Sequence, residues 1–407
     1  IRHIPVIIQF HTKDKRKIDK PFKKNNPNSS RLYKPWAFAK RKINSSINKI
    51  YVNEPKEKLL IKRLSRIGFK IKSKLPFINS VCGLLPLRNL DEFKKIIEIK
   101  KIYYDRKAEL TGWINHENPG STMVYQPSLS SQFTGKGITI AFIDSGVYPH
   151  KALMLPRKRI LSFKDFINHI DSPYDDNGHG TACIGLACGF LPEDGFIAPA
   201  FNSTIVSAKA FDISSHGYYS DILAAMQWIL DIKERYNIKI LVMPFSSDIQ
   251  TNIGFDILSI GANKVFKNGI LPVASAGNLG PHLGTITSPG SCPNALTVGG
   301  FSWENNKPEV LPFSSRGPVL ENTNKPDLVM EGKNLTSLNN ESNYIKFNGT
   351  SASASQAAAI AALLYEKNPF VSAKDIKSII KVSTRSLGDI KVSQGEGYID
   401  MEKIEEA

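Results

Sequence analysis

From Gly135 onward, apolar runs alternate with amphipathic ones in a regular order. Ile138–Ile143 is unbroken and apolar and ends on Asp-Ser-Gly, the pattern of a parallel strand buried on both faces. A helix is predicted after His179, then a strand at Thr204–Ala210 and a helix from Asp221 to Arg235. A strand at Ile238–Met243, a helix over Phe255–Lys267 and a strand at Ile270–Ser275 follow. Strands alternating with helices predict a parallel sheet with helices on both faces. Ligands of such sheets gather at the carboxyl ends of the strands, where Asp144 and the turn Ser275–Asn278 fall.

The first 110 residues read differently. Ile4–Phe10 is a short apolar strand, and residues 11–54, rich in Lys, Asn, Ser and Pro, read as a long solvated insertion. Pro55 opens a helix through Leu59, Leu60, Leu64 and Ile67, stopped by Gly68. Phe69–Lys72 and Ile78–Leu85 are predicted strands. Asn89 or Asp91 caps a second helix carrying Phe93, Ile96 and Ile97, and Lys101–Tyr104 is a last strand. The order β-α-β-β-α-β is the split βαβ arrangement.

Charge follows the same division. Residues 1–110 hold 29 Lys+Arg against 9 Asp+Glu, a net of +20, while residues 111–407 hold 24 against 28, a net of −4. A basic block of this kind attracts nucleic acid, an anionic membrane or an acidic protein surface. Here an acidic surface is already attached. Tyr33, Trp36 and Phe38 lie among the basic residues without any nucleic-acid-binding motif, so nucleic-acid binding is the lesser reading. No apolar stretch is long enough to span a membrane. The four cysteines are too few for a disulfide scaffold, and Cys183 and Cys188 sit in an apolar helical run; all are read as buried free thiols. That and the lack of a visible signal peptide point to the cytoplasm. Because the chain opens on Ile1 rather than Met, secretion stays open as the alternative.

Three short motifs carry the chemistry: Asp144-Ser145-Gly146, Asn177-Gly178-His179-Gly180-Thr181 and Asn348-Gly349-Thr350-Ser351. Each is commonplace alone. In the order Asp, His, Ser, with small residues around each functional side chain, they form a nucleophilic set. A serine hydroxyl needs a base to attack a carbonyl at neutral pH, and histidine has the right basicity. A carboxylate then holds the imidazole in the required tautomer. Ser351 stands where Gly349-Thr350 gives way to a helical run, so its N–H faces developing negative charge.

With Ala274-Ser275-Ala276-Gly277-Asn278, Phe313-Ser314-Ser315-Arg316-Gly317-Pro318 and Lys325-Pro326-Asp327, the chain resembles the subtilisin family of serine proteases over roughly residues 111–385. The run Tyr174–Thr181 looks most like an AprX-type bacterial subset. The resemblance implies an α/β subtilisin-like parallel sheet flanked by helices (residues 111–407), preceded by an α+β ferredoxin-like prodomain (residues 1–110). It implies a serine endopeptidase acting on peptides or proteins through an acyl-enzyme on Ser351. His179 would be the general base, Asp144 its orienter, and Asn278 with the Ser351 N–H the oxyanion hole. Pro244, Phe245 and Ser246 would form the substrate-pairing strand, with Ala274, Ser275, Ala276 and Gly277 beside it. No cofactor or metal is implied, and the segment Gly189–Gly195 looks too short for the family's common calcium loop. A cis peptide is expected at Ser288-Pro289.

The prodomain would inhibit its own catalytic domain, with cleavage expected near Leu110-Thr111 and docking favoured by the opposite charges. Departures from the family pattern are Pro244-Phe245-Ser246 for an apolar Ser-Leu-Gly strand, Ala182 for histidine, Ser353 for alanine, Ser355 for proline, and Met330-Glu331-Gly332 for an Ala-Pro-Gly turn. They motivate a second reading, a protease-like binding or regulatory protein with weak turnover.

Overall fold

A computed structural model describes residues 3–11, 54–115, 132–247, 256–319 and 324–406. Most of the expected solvated insertion, 12–53, lies outside the described residues. The apolar runs from Thr139 onward become the strands of a ten-stranded sheet. Its order is Thr384–Arg385, Tyr398–Ile399, Leu328–Glu331, Leu296–Glu304, Leu271–Ser275, Ile238–Met243, Thr139–Asp144, Thr204–Lys209 and Ile160–Asp165, with Lys307–Val310 paired beside Leu296–Glu304. From Ile160–Asp165 to Tyr398–Ile399 the pairing is parallel. The strand Thr139–Asp144 is the switch point, since the chain leaves it first toward one side and returns to its other side with Ile238–Met243. Asp144 therefore ends the strand at which a crevice opens.

Helices His179–Cys188 and Thr350–Lys367 cover one face; Tyr219–Tyr236 and Ile257–Lys267 cover the other. The observed ends differ from expectation by one or two residues, as at Ile257, where the Asp256 carboxylate accepts from the Leu258 and Ser259 N–H groups and sets the start. The two covering helices of the first face are buried almost throughout, so neither shows an amphipathic stripe. The expected buried free thiols are found: all four cysteines are buried and unpaired. Lys325 and Asp327 form a buried ion pair at 2.6 Å behind the sheet. Burial pushes the Asp327 carboxyl up, but Lys325 and Lys377 outweigh it and hold it down to about 2.

The N-terminal residues build a separate antiparallel sheet, ordered Lys70–Leu75, Ser80–Pro86, His3–Phe10, Ile99–Tyr104, the order of the split βαβ arrangement. A 3₁₀ turn, Pro76–Ile78, joins the two strands and takes in Ile78, which was read as strand. The strand His3–Phe10 is apolar without alternation because both its faces are covered. Val6, Ile8 and Phe10 pack toward helices Glu54–Arg66 and Leu90–Lys94. Ile7, with Leu75, Ile78 and Cys82, packs instead among Ile222, Leu223, Met226 and Ile229 of helix Tyr219–Tyr236. Each fully buried side chain of this size contributes about 1.5–3 kcal/mol.

Polar ties across this junction are few. Lys72 Nζ donates to Asp221 Oδ1 and Oδ2 at 2.7 and 2.9 Å. The Phe77 N–H donates to Gln227 Oε1 at 2.9 Å, and the Ser220 N–H to Asp105 Oδ1 at 2.8 Å. Asp105 thus caps the start of Tyr219–Tyr236, where a carboxylate is favoured. Of the 29 basic residues before position 111, 13 fall between 13 and 49, outside the described residues. Among the described ones the junction is mainly apolar rather than Coulombic. No helix among the described residues is long and apolar enough to cross a membrane.

Candidate active site

Asp144, at the end of its strand, is fully buried, and its Oδ1 and Oδ2 lie 2.8 and 3.0 Å from His179 Nδ1. Donation from Nδ1 to this carboxylate leaves Nε2 as the acceptor, 3.1 Å from Ser351 Oγ. The imidazole is set by its helix. The Asp175 carboxylate accepts from the Gly178 and Thr181 N–H groups at 2.8 and 2.9 Å and from Thr181 Oγ1 at 2.7 Å. That charge at a helix N-terminus fixes the turn from which His179 projects. Ser145 Oγ ties the end of the strand Thr139–Asp144 to the start of the His179 helix, donating to Asp175 at 2.9 Å and accepting from the Gly180 N–H at 2.9 Å. The ring also stands edge-on to Phe347. Asp175 was missed from the sequence; its position before Asn177-Gly178, at the start of a helix, is the signal that would have found it.

Ser351 is the second residue of the helix Thr350–Lys367. Its N–H and Asn278 Nδ2 converge on one oxygen, the carbonyl of Thr111, at 3.2 and 2.7 Å. The Asn278 amide cannot turn over freely, because its Oδ1 accepts from the Thr350 N–H at 3.1 Å and from Thr350 Oγ1 at 2.9 Å. Thr350 Oγ1 in turn accepts from the Gly277 N–H at 3.1 Å. Gly349 is required here: at φ +125 its backbone suits glycine, and a β-carbon would lie 2.3 Å from the Thr111 carbonyl oxygen.

The end of the expected prodomain lies in the cleft. Residues Lys107–Leu110 form an edge-to-edge strand between His216–Tyr218 and Phe245–Ser247, antiparallel to both. Leu110 faces Phe245 and Glu109 faces Ser246 in register. The Leu110 N–H donates to the Ser215 carbonyl at 3.2 Å, and the Thr111 N–H to the Pro244 carbonyl at 3.1 Å. Beyond Gly112, Trp113–Asn115 pairs antiparallel with Tyr344–Asn348, and Trp113 packs edge-on to Phe313. A β-carbon on Gly112 would lie 2.9 Å from His179 Nε2. The segment is therefore threaded through the cleft with the Thr111–Gly112 bond between the serine, the imidazole and two converging N–H groups. Lys107–Leu110 and Trp113–Asn115 are four and three residues long, too short for the alternation of a strand to show in the sequence.

The expected substrate-strand residues meet this segment unequally. Pro244 and Phe245 bond or pair with it through the backbone, and Ser246 lies opposite Glu109. Pro244 lacks an N–H, but its carbonyl is what the segment uses, so the proline leaves this bond intact. Ser275 meets the segment through its side chain: Thr111 Oγ1 donates to Ser275 Oγ at 2.6 Å. Ala274 is buried in the sheet, Ala276 packs with Ile286 and Val319, and Gly277 turns the chain toward Asn278. Two other departures compensate each other. Ser353 Oγ donates to the carbonyls of Met330 and Glu331 at 3.1 Å each, and Gln356 Nε2 donates to Glu331 at 2.7 Å, which ties the nucleophile's helix to the altered turn. Ser355 Oγ donates back to the Ser351 carbonyl at 2.9 Å, with no break in the helix. Ala182 is buried against Ser337, whose Oγ donates to its carbonyl. The Ser288–Pro289 bond is cis.

Among the described residues, Asp144, His179 and Cys183 are the group of ligand-type side chains close enough together to hold a metal. Burial, and then Asp144, push the Cys183 thiol well above its usual value, so it stays protonated 3.7 Å from His179 Nδ1. A protonated thiol is a poor ligand.

A doubly covered parallel sheet carrying Ser, His and Asp side chains at its strand ends, with two donors on one carbonyl oxygen, defines the class: a serine hydrolase of peptide-like bonds. The family profile of Peptidase S8, the subtilase family, matches residues 135–398, and the chain belongs to that family. It is 29% identical to serine protease AprX of Bacillus subtilis (strain 168), covering 77% of this chain and 76% of that protein. Against subtilisin Savinase of Lederbergia lenta the identity is 28%, over 70% of this chain and 96% of that one. Among solved structures, Sphericase superposes with a TM-score of 0.58 at 26% identity, over 69% of this chain and 94% of that chain. The protein is a subtilisin-type serine endopeptidase, and peptides or proteins are its substrates.

Proposed function

We propose that Ser351, His179, Asp144 and Asn278 are the catalytic residues of this endopeptidase, and that residues 1–111 are an inhibitory prodomain whose tail is the enzyme's first substrate. Ser351 Oγ adds to the Thr111 carbonyl carbon as His179 Nε2 takes its proton. The oxygen becomes an anion held by Asn278 Nδ2 and the Ser351 N–H. Asp144 stabilises the imidazolium, which then gives its proton to the Gly112 nitrogen as that C–N bond breaks. Water, activated by the same imidazole, hydrolyses the ester on Ser351 and releases Thr111 as a carboxylate.

The observation that carries the reading is the Thr111 carbonyl oxygen, which accepts from both donors while the N–H of the same residue pairs with Pro244. This is the lie of a substrate, and it supports a cut between Thr111 and Gly112, one residue beyond Leu110–Thr111. Before reaction the Ser351 proton has three acceptors, His179 Nε2 at 3.1 Å, the Pro244 carbonyl at 3.0 Å and Thr111 Oγ1 at 2.8 Å, and donation to His179 alone leads to chemistry. After the cut, the prodomain stays docked through Ile7, Leu75, Ile78 and Lys72 and keeps its new terminus in the cleft.

A fluorophosphonate probe tests the site. The wild-type protein, once its prodomain has been digested away, should be labelled on Ser351, with labelling lost in Ser351→Ala and strongly reduced in His179→Ala. Labelling that persists in Ser351→Ala would overturn the assignment.

A further inference from the structure

We propose that Ser275 makes the pocket for the residue before the cut a reader of β-hydroxyl groups, so that the enzyme cleaves after threonine, and after serine, in preference to apolar residues of equal size. This rests on the reading that Thr111 occupies that pocket as a substrate residue. Thr111 Oγ1 donates its only proton to Ser275 Oγ at 2.6 Å, and Ser275 Oγ donates onward to the Phe245 carbonyl at 3.4 Å, near the limit of a hydrogen bond. Both side chains are shut off from water, at 3% and 1% exposure. A substrate without the hydroxyl leaves the Ser275 oxygen buried with that long contact alone. A pocket built to bond a hydroxyl rejects the analogue lacking it far more strongly than an apolar pocket rejects a changed methyl group.

Because the threonine proton is committed to Ser275, the lone pairs of its oxygen face Ser351 Oγ, 2.8 Å away. The side chain does not move when the carbonyl carbon becomes tetrahedral, so the Ser275 bond persists into the transition state. The preference therefore appears in kcat/KM.

The test uses the self-processed protein once its prodomain has been digested away, with quenched peptides of sequence Lys-Ala-Glu-Leu-X-Gly-Trp-Ile-Asn, where X is Thr, Ser, Val or Leu. Valine matches threonine in shape and lacks only the hydroxyl. The wild type should prefer Thr over Val by about 10- to 100-fold in kcat/KM, with Ser above Val. Ser275→Ala should bring the Thr/Val ratio within about 3-fold, and Ser275→Thr, which keeps a hydroxyl, should restore it. Fluorophosphonate labelling of Ser351 in each variant reports that the site is assembled. A wild-type ratio near one, with products cut at X–Gly by mass, overturns the hydroxyl-reading role and leaves the substrate-like reading of Thr111 standing. Peptides cut at another bond, or none cut, overturn both. A ratio unchanged in Ser275→Ala overturns the role of Ser275.

Discussion

The parallel-sheet body holds its functional groups by buried polar bonds, while the N-terminal sheet meets that body across apolar surface with a few polar ties. In the body, Asp175 bonds three donors around His179, and Asn278 is locked by Thr350. Such bonds fix side chains to fractions of an ångström, which attack on a carbonyl demands. At the junction, Ile7, Leu75, Ile78 and Cys82 bury area against Ile222, Met226 and Ile229, and Lys72, Gln227 and Asp105 set the register. Area holds a domain in place without positioning any one atom. The difference suits a rigid catalytic body and the removable prodomain proposed for residues 1–111.

Substitutions should separate the two regions by size of effect. The largest is expected at Ser351→Ala, which should lower peptide hydrolysis by about 10⁶-fold, measured on the isolated active protein, and leave the full chain uncut. Asn278→Ala should cost about 10²–10³ in kcat with KM little changed, because the lost bond strengthens as the oxyanion forms. An equal loss in KM alone would place Asn278 outside the oxyanion site. Lys72→Ala should act on the other region only, weakening prodomain inhibition about 5-fold by leaving Asp221 without its partner; Lys72 is half exposed, so the effect is small. It is read as the inhibition constant at fixed substrate, with kcat unchanged.

The smallest expected effect is on pH. Burial raises the Asp105 carboxyl above its ordinary value, and the Ser220 side chain and N–H only partly offset this. The docked state therefore binds the proton more tightly than the free prodomain does. Docking gains from Asp105 protonation in full below the ordinary carboxylate value and loses that gain as pH rises through the raised one. The inhibition constant should thus weaken with rising pH over the acid range, and Asp105→Asn should flatten the slope. A slope of opposite sign would show that Asp105 is solvated at the junction.

The two regions were also unequally legible in the sequence. Asp144, His179, Ser351 and Asn278 stand in short motifs with glycine beside them, so close packing leaves a local mark. The apolar run Ile4–Phe10 announced a strand, though not the helices on one side and the Tyr219–Tyr236 helix on the other that cover it. Thr350 and Ser275 act through bonds to Asn278 and Thr111, far along the chain, and spacing cannot reveal those partners. The strand Lys107–Leu110 was invisible because it is four residues long and is extended only by neighbours at His216–Tyr218 and Phe245–Ser247. Pro244 and Ser355, which raised the prospect of weak turnover, use a carbonyl and a back-bonded hydroxyl that leave the site intact.

The central claim is that the serine attacks one particular carbonyl, held by two donors. N-terminal sequencing of the purified full chain after incubation, beside Ser351→Ala treated alike, tests it most directly. A new terminus at Gly112 in the wild type alone is the predicted result. A terminus at any other residue, or the same cut in Ser351→Ala when no other protease is present, would contradict it.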